Sequence, residues 1–138
     1  MKEPYILSEH MAQKDVFSAV NGIEVHAVER DRAVIRLTIT EKSKNLLGIV
    51  HGGAMYTMAD CATGLAAHTD GRKYVTQGSS MHFLKNRTDG TIYATGQVIH
   101  RGKTTCLVRL EITDEAGVLL ASGEFTFFCL NPEKEAKK

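Results

Sequence analysis

No stretch of the sequence approaches the run of about twenty apolar residues that spans a bilayer, and the opening Met1-Lys2-Glu3-Pro4-Tyr5 leads into no long apolar run. Cysteine is sparse: Cys61, Cys106 and Cys129 are scattered, without a CxxC pair. An odd, dispersed set argues against a disulfide framework and fits a reducing compartment, so the expected location is cytoplasmic. Excess charge is missing as well. Seventeen Lys and Arg stand against sixteen Asp and Glu, a formal net charge of +1, which removes the usual footprint of a nucleic-acid or anionic-membrane partner. Internal repeats, linkers and low-complexity blocks are also lacking. What remains is 43% hydrophobic and 24% charged over 138 residues. That is the composition of one folded domain, 1–138, with a charged tail at 131–138 that is expected to fray.

Periodicity orders the chain as helix, two strands, long helix, four strands. Ala12, Val16, Phe17 and Val20 recur at three-to-four spacing between a candidate N-cap at Ser8 and a stop at Gly22. This predicts a helix over 8–20 that packs its apolar side on a sheet. A strand is expected over 23–28, turning at Arg30-Asp31-Arg32 into a second over 33–40, where Ala33, Ile35, Leu37 and Ile39 mark the buried face. Past the polar break Thr69-Asp70-Gly71-Arg72, strands are expected over 74–86, 91–100, 106–113 and 119–129. Cys106, Val108, Leu110 and Ile112 face inward on the third of these, and Leu119, Ala121, Gly123, Phe125, Phe127 and Cys129 on the fourth. The loop Asp114-Glu115-Ala116-Gly117 supplies a glycine for a left-handed residue. Hairpin connections imply an antiparallel sheet with helices on one face, an α+β layering.

The chain is organised around Asn45-Leu46-Leu47-Gly48-Ile49-Val50-His51-Gly52-Gly53 and the helix that follows, a segment rich in Ala, Gly, Thr and Met with one carboxylate, Asp60. Small side chains let such a helix lie close to a curved sheet, which needs no function. The first helical turn, however, leaves N–H groups without intrahelical partners, and the peptide dipoles favour negative charge there. Gly52 and Gly53 either present backbone N–H groups to an oxyanion or satisfy a turn whose angles require glycine. His51 orients the loop or acts as a base; Asn45 donates an amide hydrogen bond or shapes the turn. Asp60 shares a helix face with Tyr56, Thr57, Thr63, Gly64 and Ala67, opposite Met55, Met58, Ala62, Leu65 and Ala66. It is either a buried working carboxylate or a solvated one bonded to a neighbouring hydroxyl. An anion-stabilising turn with a nearby carboxylate points to chemistry on a carbonyl.

Asn45-x-x-Gly48-x-x-His51-Gly52-Gly53, followed by Ala59-Asp60 in an alanine-rich helix, resembles the hot-dog-fold acyl-CoA thioesterases. The likeness is to the phenylacetic-acid-degradation (PaaI-type) branch, related to 4-hydroxybenzoyl-CoA thioesterase. Met81-His82-Phe83-Leu84-Lys85 and Arg101-Gly102-Lys103-Thr104 resemble further family segments, so that the likeness runs from the first helix to the last strand. The resemblance implies a curved antiparallel sheet wrapped around the central helix. It implies homodimers joined edge to edge, often paired into homotetramers, with the active site at the dimer interface. By position, Asp60 matches the catalytic carboxylate, Gly52 the N–H that polarises the thioester carbonyl, and Asn45 the amide beside it. Thr76 falls where some relatives carry a water-orienting Ser. Tyr56, Phe83 and Leu84, with Gly53 at the turn, would meet the acyl part of an acyl-CoA substrate.

Coenzyme A phosphates would meet basic side chains among Lys85, Arg87, Arg101 and Lys103 around Gly102, each of which otherwise reads as a solvated charge. No metal or organic cofactor is expected; His51, Cys61 and His68 lack the i,i+4 spacing that holds zinc on one helix face. Two positions depart from the family pattern and bear on acyl-group preference: Asn86, where many relatives have Pro, and Gly64, where some have a hydroxyl residue. Two other functional classes use the same fold. A non-catalytic acyl-CoA sensor would need an output module, and none is read in the sequence. An enoyl-CoA hydratase or dehydratase would need a His beside the carboxylate, and neither His51 nor His68 has that spacing.

Overall fold

The computed structural model describes residues 15–134. Six antiparallel strands form one sheet in the order β1-β2-β4-β5-β6-β3. They are β1 (Ile23–Glu29), β2 (Arg32–Thr38), β3 (Tyr74–Phe83), β4 (Thr91–Arg101), β5 (Thr105–Asp114) and β6 (Leu119–Cys129). A short helix α1 (Val16–Val20) precedes β1, and the long helix α2 (Gly52–His68) links β2 to β3, the strand at the far edge. The alternation read in the sequence is what the sheet buries. Ile35, Leu37, Val108, Leu110, Ile112 and Phe125 are at most 1% exposed, each such side chain contributing roughly 1.5–3 kcal/mol.

The small residues of α2 do what close packing requires. Gly96 of β4 lies so near the helix that a Cβ there would stand 2.6 Å from the Ala62 carbonyl oxygen and 2.8 Å from the Thr63 Cα. This α+β fold, a curved antiparallel sheet around a central helix, is the expected one.

Several local expectations are corrected. Of the helix expected over 8–20, residues 8–14 with Ser8 and Ala12 lie outside the described residues. Its described part is capped by Asp15, whose Oδ1 accepts from the Ser18 N–H at 3.2 Å. Val16, Phe17 and Val20 point outward rather than onto the sheet, because Ser18 is the inward residue: its hydroxyl meets the Cys61 Sγ of α2 at 3.0 Å. At the start of β6 the register shifts opposite Ile112 and Thr113, and Leu120 is buried in place of Leu119. β3 ends at Phe83, three residues early, after which the Leu84 and Lys85 N–H groups both donate to the Leu120 carbonyl. The sheet also encloses more of α2 than one face, so Thr63 and Ala67 are buried while Asp60 is exposed.

The polar break 69–72 is an interior cluster. Thr69, Asp70 and Arg72 are buried, and Asp70 accepts from Arg72 Nε at 2.9 Å and from the Tyr74 hydroxyl at 2.5 Å. Arg101 stands 2.9 Å from Asp70, pairs with Asp31 at 2.8 Å and donates to the Ala66 and Ala67 carbonyls at the end of α2, where positive charge complements the helix dipole. Burial alone would raise the Asp70 pKa; the Tyr74 and Arg72 hydrogen bonds and the Arg101 charge outweigh it and hold the carboxyl below its ordinary value.

Candidate active site

The turn before α2 is held by its own backbone and side chains. Asn45 Oδ1 accepts from the Leu47 and Ile49 N–H groups at 2.9 and 3.4 Å, so its carbonyl oxygen shapes the turn. The left-handed residue is Gly48, φ 79°. Gly52 and Gly53 have no such angle, so backbone conformation does not demand glycine there. At Gly53 space favours it, since a Cβ would stand 3.0 Å from His51 Nδ1, whereas a Cβ on Gly52 would make only ordinary contact with the Phe83 ring at 3.8 Å.

His51 caps α2. Its Nδ1 accepts from the Gly53 N–H at 2.9 Å, which leaves the ring proton on Nε2. Its carbonyl accepts from Ala54 and Met55 at 3.0 and 3.2 Å. Among the described residues this leaves one N–H of the first turn without an acceptor, that of Gly52. The first helical turn thus presents one open backbone donor, with the dipole of a seventeen-residue helix behind it.

From there β3 runs antiparallel along the open side of α2. Phe83 lies over Gly52, Ser79 hydrogen-bonds the Tyr56 hydroxyl, and Thr76 Oγ1 donates to Asp60 Oδ1 at 2.6 Å. The Tyr56 ring also tilts against Phe125, 5.5 Å between centroids. Asp60 is exposed in the chain, not buried as one sequence reading had it, because β3 is an edge strand and covers the helix from one side only. Phe83 and Leu84 are exposed too, at 51% and 55%.

Thr76 and Asp60 are therefore brought together, as are His51, Gly53, Gly52 and Phe83. Gly52 and Asp60 are not: eight residues on one helix place them about 12 Å apart along its axis at 1.5 Å per residue. Arg101, Gly102 and Lys103 lie at the opposite end of α2. The Gly102 and Lys103 carbonyls accept from Arg72, and the Arg101 guanidinium is engaged by Asp31, Asp70 and the helix carbonyls, which leaves it poorly placed to meet a phosphate. Arg87 is likewise paired, to Asp114 at 2.9 Å. Lys85 and Lys103 are exposed. The sequence reading passed over Ser79 and Lys44. Ser79 sits in an otherwise polar strand with nothing to mark it, and Lys44 looks like one more surface cation. Lys44 lines, with Asn45, Leu46, Leu47 and His51, an open groove of about 510 Å³ beside the turn.

Similarity to known proteins follows the same segments. Residues 47–121, more than half of the chain, match the family model described as the thioesterase superfamily. The chain is 33% identical over 109 residues to a 1,4-dihydroxy-2-naphthoyl-CoA hydrolase of Listeria monocytogenes, covering 76% of this chain and 88% of that one. It is 30% identical over 106 residues to the acyl-coenzyme A thioesterase PaaI of Escherichia coli, 76% of each chain. The solved structure of E. coli PaaI, from the phenylacetic acid degradation operon, superposes with a TM-score of 0.88 over 98% of this chain and 97% of that one, at 25% identity in that alignment. A hypothetical thioesterase protein of Streptococcus pneumoniae, solved with coenzyme A, is 27% identical with a TM-score of 0.75 over 84% and 91% of the two chains. Mutant structures of a thioesterase from that strain carry alanine for an aspartate and for a threonine sixteen positions further on. On the family match and these relatives, the chain belongs to the thioesterase superfamily.

Proposed function

We propose that this protein hydrolyses acyl-CoA thioesters, with aryl or short to medium acyl groups, to the free acid and coenzyme A, without a metal or organic cofactor. One observation carries the reading: the unpartnered Gly52 N–H of the first turn of α2 and the threonine-anchored carboxylate of Asp60 are each fit for a carbonyl reaction but stand too far apart in one chain to serve the same carbonyl. Each needs the other from a second copy. β3 is an edge strand with one side unpaired, and Val75 and Phe128 beside it are 45% and 41% exposed, which supports pairing of two β3 edges into a homodimer with two interfacial sites.

In such a site the thioester oxygen accepts from Gly52 N–H, and charge developing on it is stabilised by the donor and the helix dipole. Asp60 supplies the other half by one of two routes. As base it takes a proton from water while the water oxygen bonds to the carbonyl carbon; as nucleophile its own oxygen bonds there and the resulting anhydride is hydrolysed. In both, the C–S bond breaks and coenzyme A leaves as thiolate, to be protonated from solvent. Thr76 orients Asp60. The sixteen-residue spacing of Asp60 and Thr76 is that of the aspartate and threonine replaced in the S. pneumoniae thioesterase, and coenzyme A bound to a thioesterase of that strain supports the substrate class. Tyr56, Phe83 and Leu84 offer an apolar wall for the acyl group, and Lys44, which lines the groove beside the turn and pairs with the exposed Glu41, and the exposed Lys85 are cations for the coenzyme A arm.

The test is thiol release from a panel of aryl, short and medium acyl-CoAs, wild type beside Asp60→Ala. Turnover should fall by about a thousandfold or more in the variant, with the unfolding midpoint nearly unchanged because Asp60 is exposed. Near-wild-type turnover in Asp60→Ala would sink the reading.

A further inference from the structure

Asn86 lies just beyond β3, and the chemistry above makes no use of it. Its side chain holds the Val50 peptide groups from two directions: Oδ1 accepts from the Val50 N–H at 3.0 Å and Nδ2 donates to the Val50 carbonyl at 3.0 Å. The same Oδ1 accepts from the Arg87 N–H at 2.7 Å, and the Asn86 carbonyl accepts from Arg87 Nη1 at 2.7 Å. Arg87 is in turn fixed by Asp114 at 2.9 Å, at the end of β5. Val50, buried, stands two residues before Gly52.

The turn is knit internally by Asn45, but few contacts tie it to the rest of the chain; one is the Val50 N–H, which also reaches the Arg87 carbonyl at 3.3 Å. Leu46 and Leu47 are 105% and 81% exposed, so no core packing fixes residues 45–49. Beyond Val50, the backbone anchors are the Lys44–Val50 bridge and the His51 N–H on the Ser43 carbonyl at 2.8 Å. A single hydrogen bond leaves a peptide free to swing about it. A paired donor and acceptor on one residue fixes its orientation as well, and with it the direction of the next N–H groups along the chain. Orientation is what an oxyanion donor needs, since it must lie within about 2.7–3.1 Å of where the charge will develop.

We propose that Asn86 is the positioning residue of the oxyanion donor: its two-point hold on Val50, anchored through Arg87 to the β5 end of the sheet, aims the Gly52 N–H. This rests on the reading of Gly52 given above. Asn86 touches no substrate, and its effect passes through Val50 and His51. Loss of the hold should lower kcat more than it raises KM, because coenzyme A and the acyl group are bound by other residues while the donor's aim matters most in the transition state.

The experiment uses the full chain with benzoyl-CoA and a short acyl-CoA as probes, comparing wild type, Asn86→Ala and Asn86→Asp. Asn86→Ala should lose about 10- to 100-fold in kcat, with KM within about threefold. Asn86→Asp keeps an acceptor for Val50 and Arg87 but not the donation to the Val50 carbonyl, and should fall between. The decisive readout is the carbonyl stretch of benzoyl-CoA bound to the Asp60→Asn protein. It should lie below its solution frequency, and Asn86→Ala added to that background should move it back towards solution. An unchanged kcat, or a reduced kcat with the carbonyl stretch unmoved, overturns the inference. Should Asn86→Ala fail to fold, Asn86→Asp decides by the same two readouts. Absence of thiol release by wild type from every acyl-CoA overturns the proposed function and this inference together; wild-type turnover with insensitive Asn86 variants overturns this inference alone.

Discussion

The two ends of α2 are built from similar ingredients, polar turns with glycine, and put them to opposite use. At the C-terminal end Asp70, Arg72, Tyr74, Arg101 and Asp31 bond one another and the last helix carbonyls, with only the buried Arg101 Nε left without a partner among their side chains. His68 belongs with them, its Nδ1 bonded to the Gly64 carbonyl and its Nε2 accepting from the Tyr74 N–H. At the N-terminal end the first helical turn leaves the Gly52 N–H without an acceptor among the described residues, and Phe83 and Leu84 stand uncovered beside it. A closed set of polar groups serves stability. An open donor and a carboxylate at the surface are available for a ligand. The same helix is a structural anchor at one end and a candidate reaction surface at the other, and the difference lies in what is left open to solvent.

The sharpest way to break this contrast is to damage the closed end. Asp70→Ala leaves Arg72 and Arg101 charged and largely buried, 4% and 14% exposed at the side chain, and should cost about 3–5 kcal/mol of stability. Urea unfolding measures it; a loss under about 1 kcal/mol would mean that the cluster is not the anchor described. The open end should respond in the other currency. Thr76→Val removes the hydrogen bond to Asp60 and should slow turnover by roughly 10- to 100-fold, with stability changed by under about 0.5 kcal/mol because both exposed groups can bond water instead. A Thr76→Val protein that unfolds easily but turns over normally would reverse the assignment of the two regions.

Much of the frame was legible because burial imposes period. β5 and β6 alternate as written in Cys106 to Ile112 and in Ala121 to Cys129, and the fold class follows from strand count and hairpin turns. The α2 turn was legible because glycine, histidine and a lone carboxylate are unusual together. The limits have physical causes as well. Period gives the face on which Asp60 lies but not whether a strand covers that face, which depends on β3 being at the sheet edge. Arg101 and Lys103 look alike in sequence; only the convergence of Asp31, Asp70 and the helix carbonyls on the first separates an interior ion from a surface one. Asn86 stood out only as a departure from the resembled pattern, since a side chain that bonds a peptide thirty-six residues away leaves no local signature.

Acid offers a smaller effect that sharpens the same contrast. The Asp70 carboxyl is held below its unfolded value, which is near 3.9. A carboxyl with a lowered folded-state pKa contributes fully above the unfolded value, and its contribution fades as pH falls through the folded one. The stability gap between wild type and Asp70→Asn should therefore be flat from neutral pH down to about 5 and narrow below about 4. Asp114 is also lowered, first by the Val118 N–H and then, against a smaller opposing effect of desolvation, by Arg87. It titrates alike in both proteins, so the difference isolates Asp70. Urea midpoints at a series of pH values test this; a gap that widens in acid would show that the Asp70 carboxylate is not the stabilised form.

The smallest effect is expected midway along the helix, at Cys61, the residue after Asp60. Its Sγ lies 3.0 Å from the Ser18 hydroxyl, which itself donates to Asp15 Oδ2 at 2.7 Å. Burial does most to raise the thiol, the Asp15 and Asp60 charges add to it, and the Ser18 hydrogen bond opposes them; the pKa is pushed up to about 11. Cys106, fully buried, is raised to about 11 as well, again chiefly by burial. Against a free thiol near 8.5, Cys61 should carry roughly a hundredfold less thiolate at neutral pH and label correspondingly slowly. A thiol reagent added to the native protein should thus show almost no protein signal, and one added in denaturant should show three thiols. Slow labelling means that α1 is held on the helix by the Ser18–Cys61 contact, so that the open region ends at Asp60. Fast labelling of Cys61 would mean that α1 lifts away and the open surface runs further along α2 than the contrast between its two ends allows.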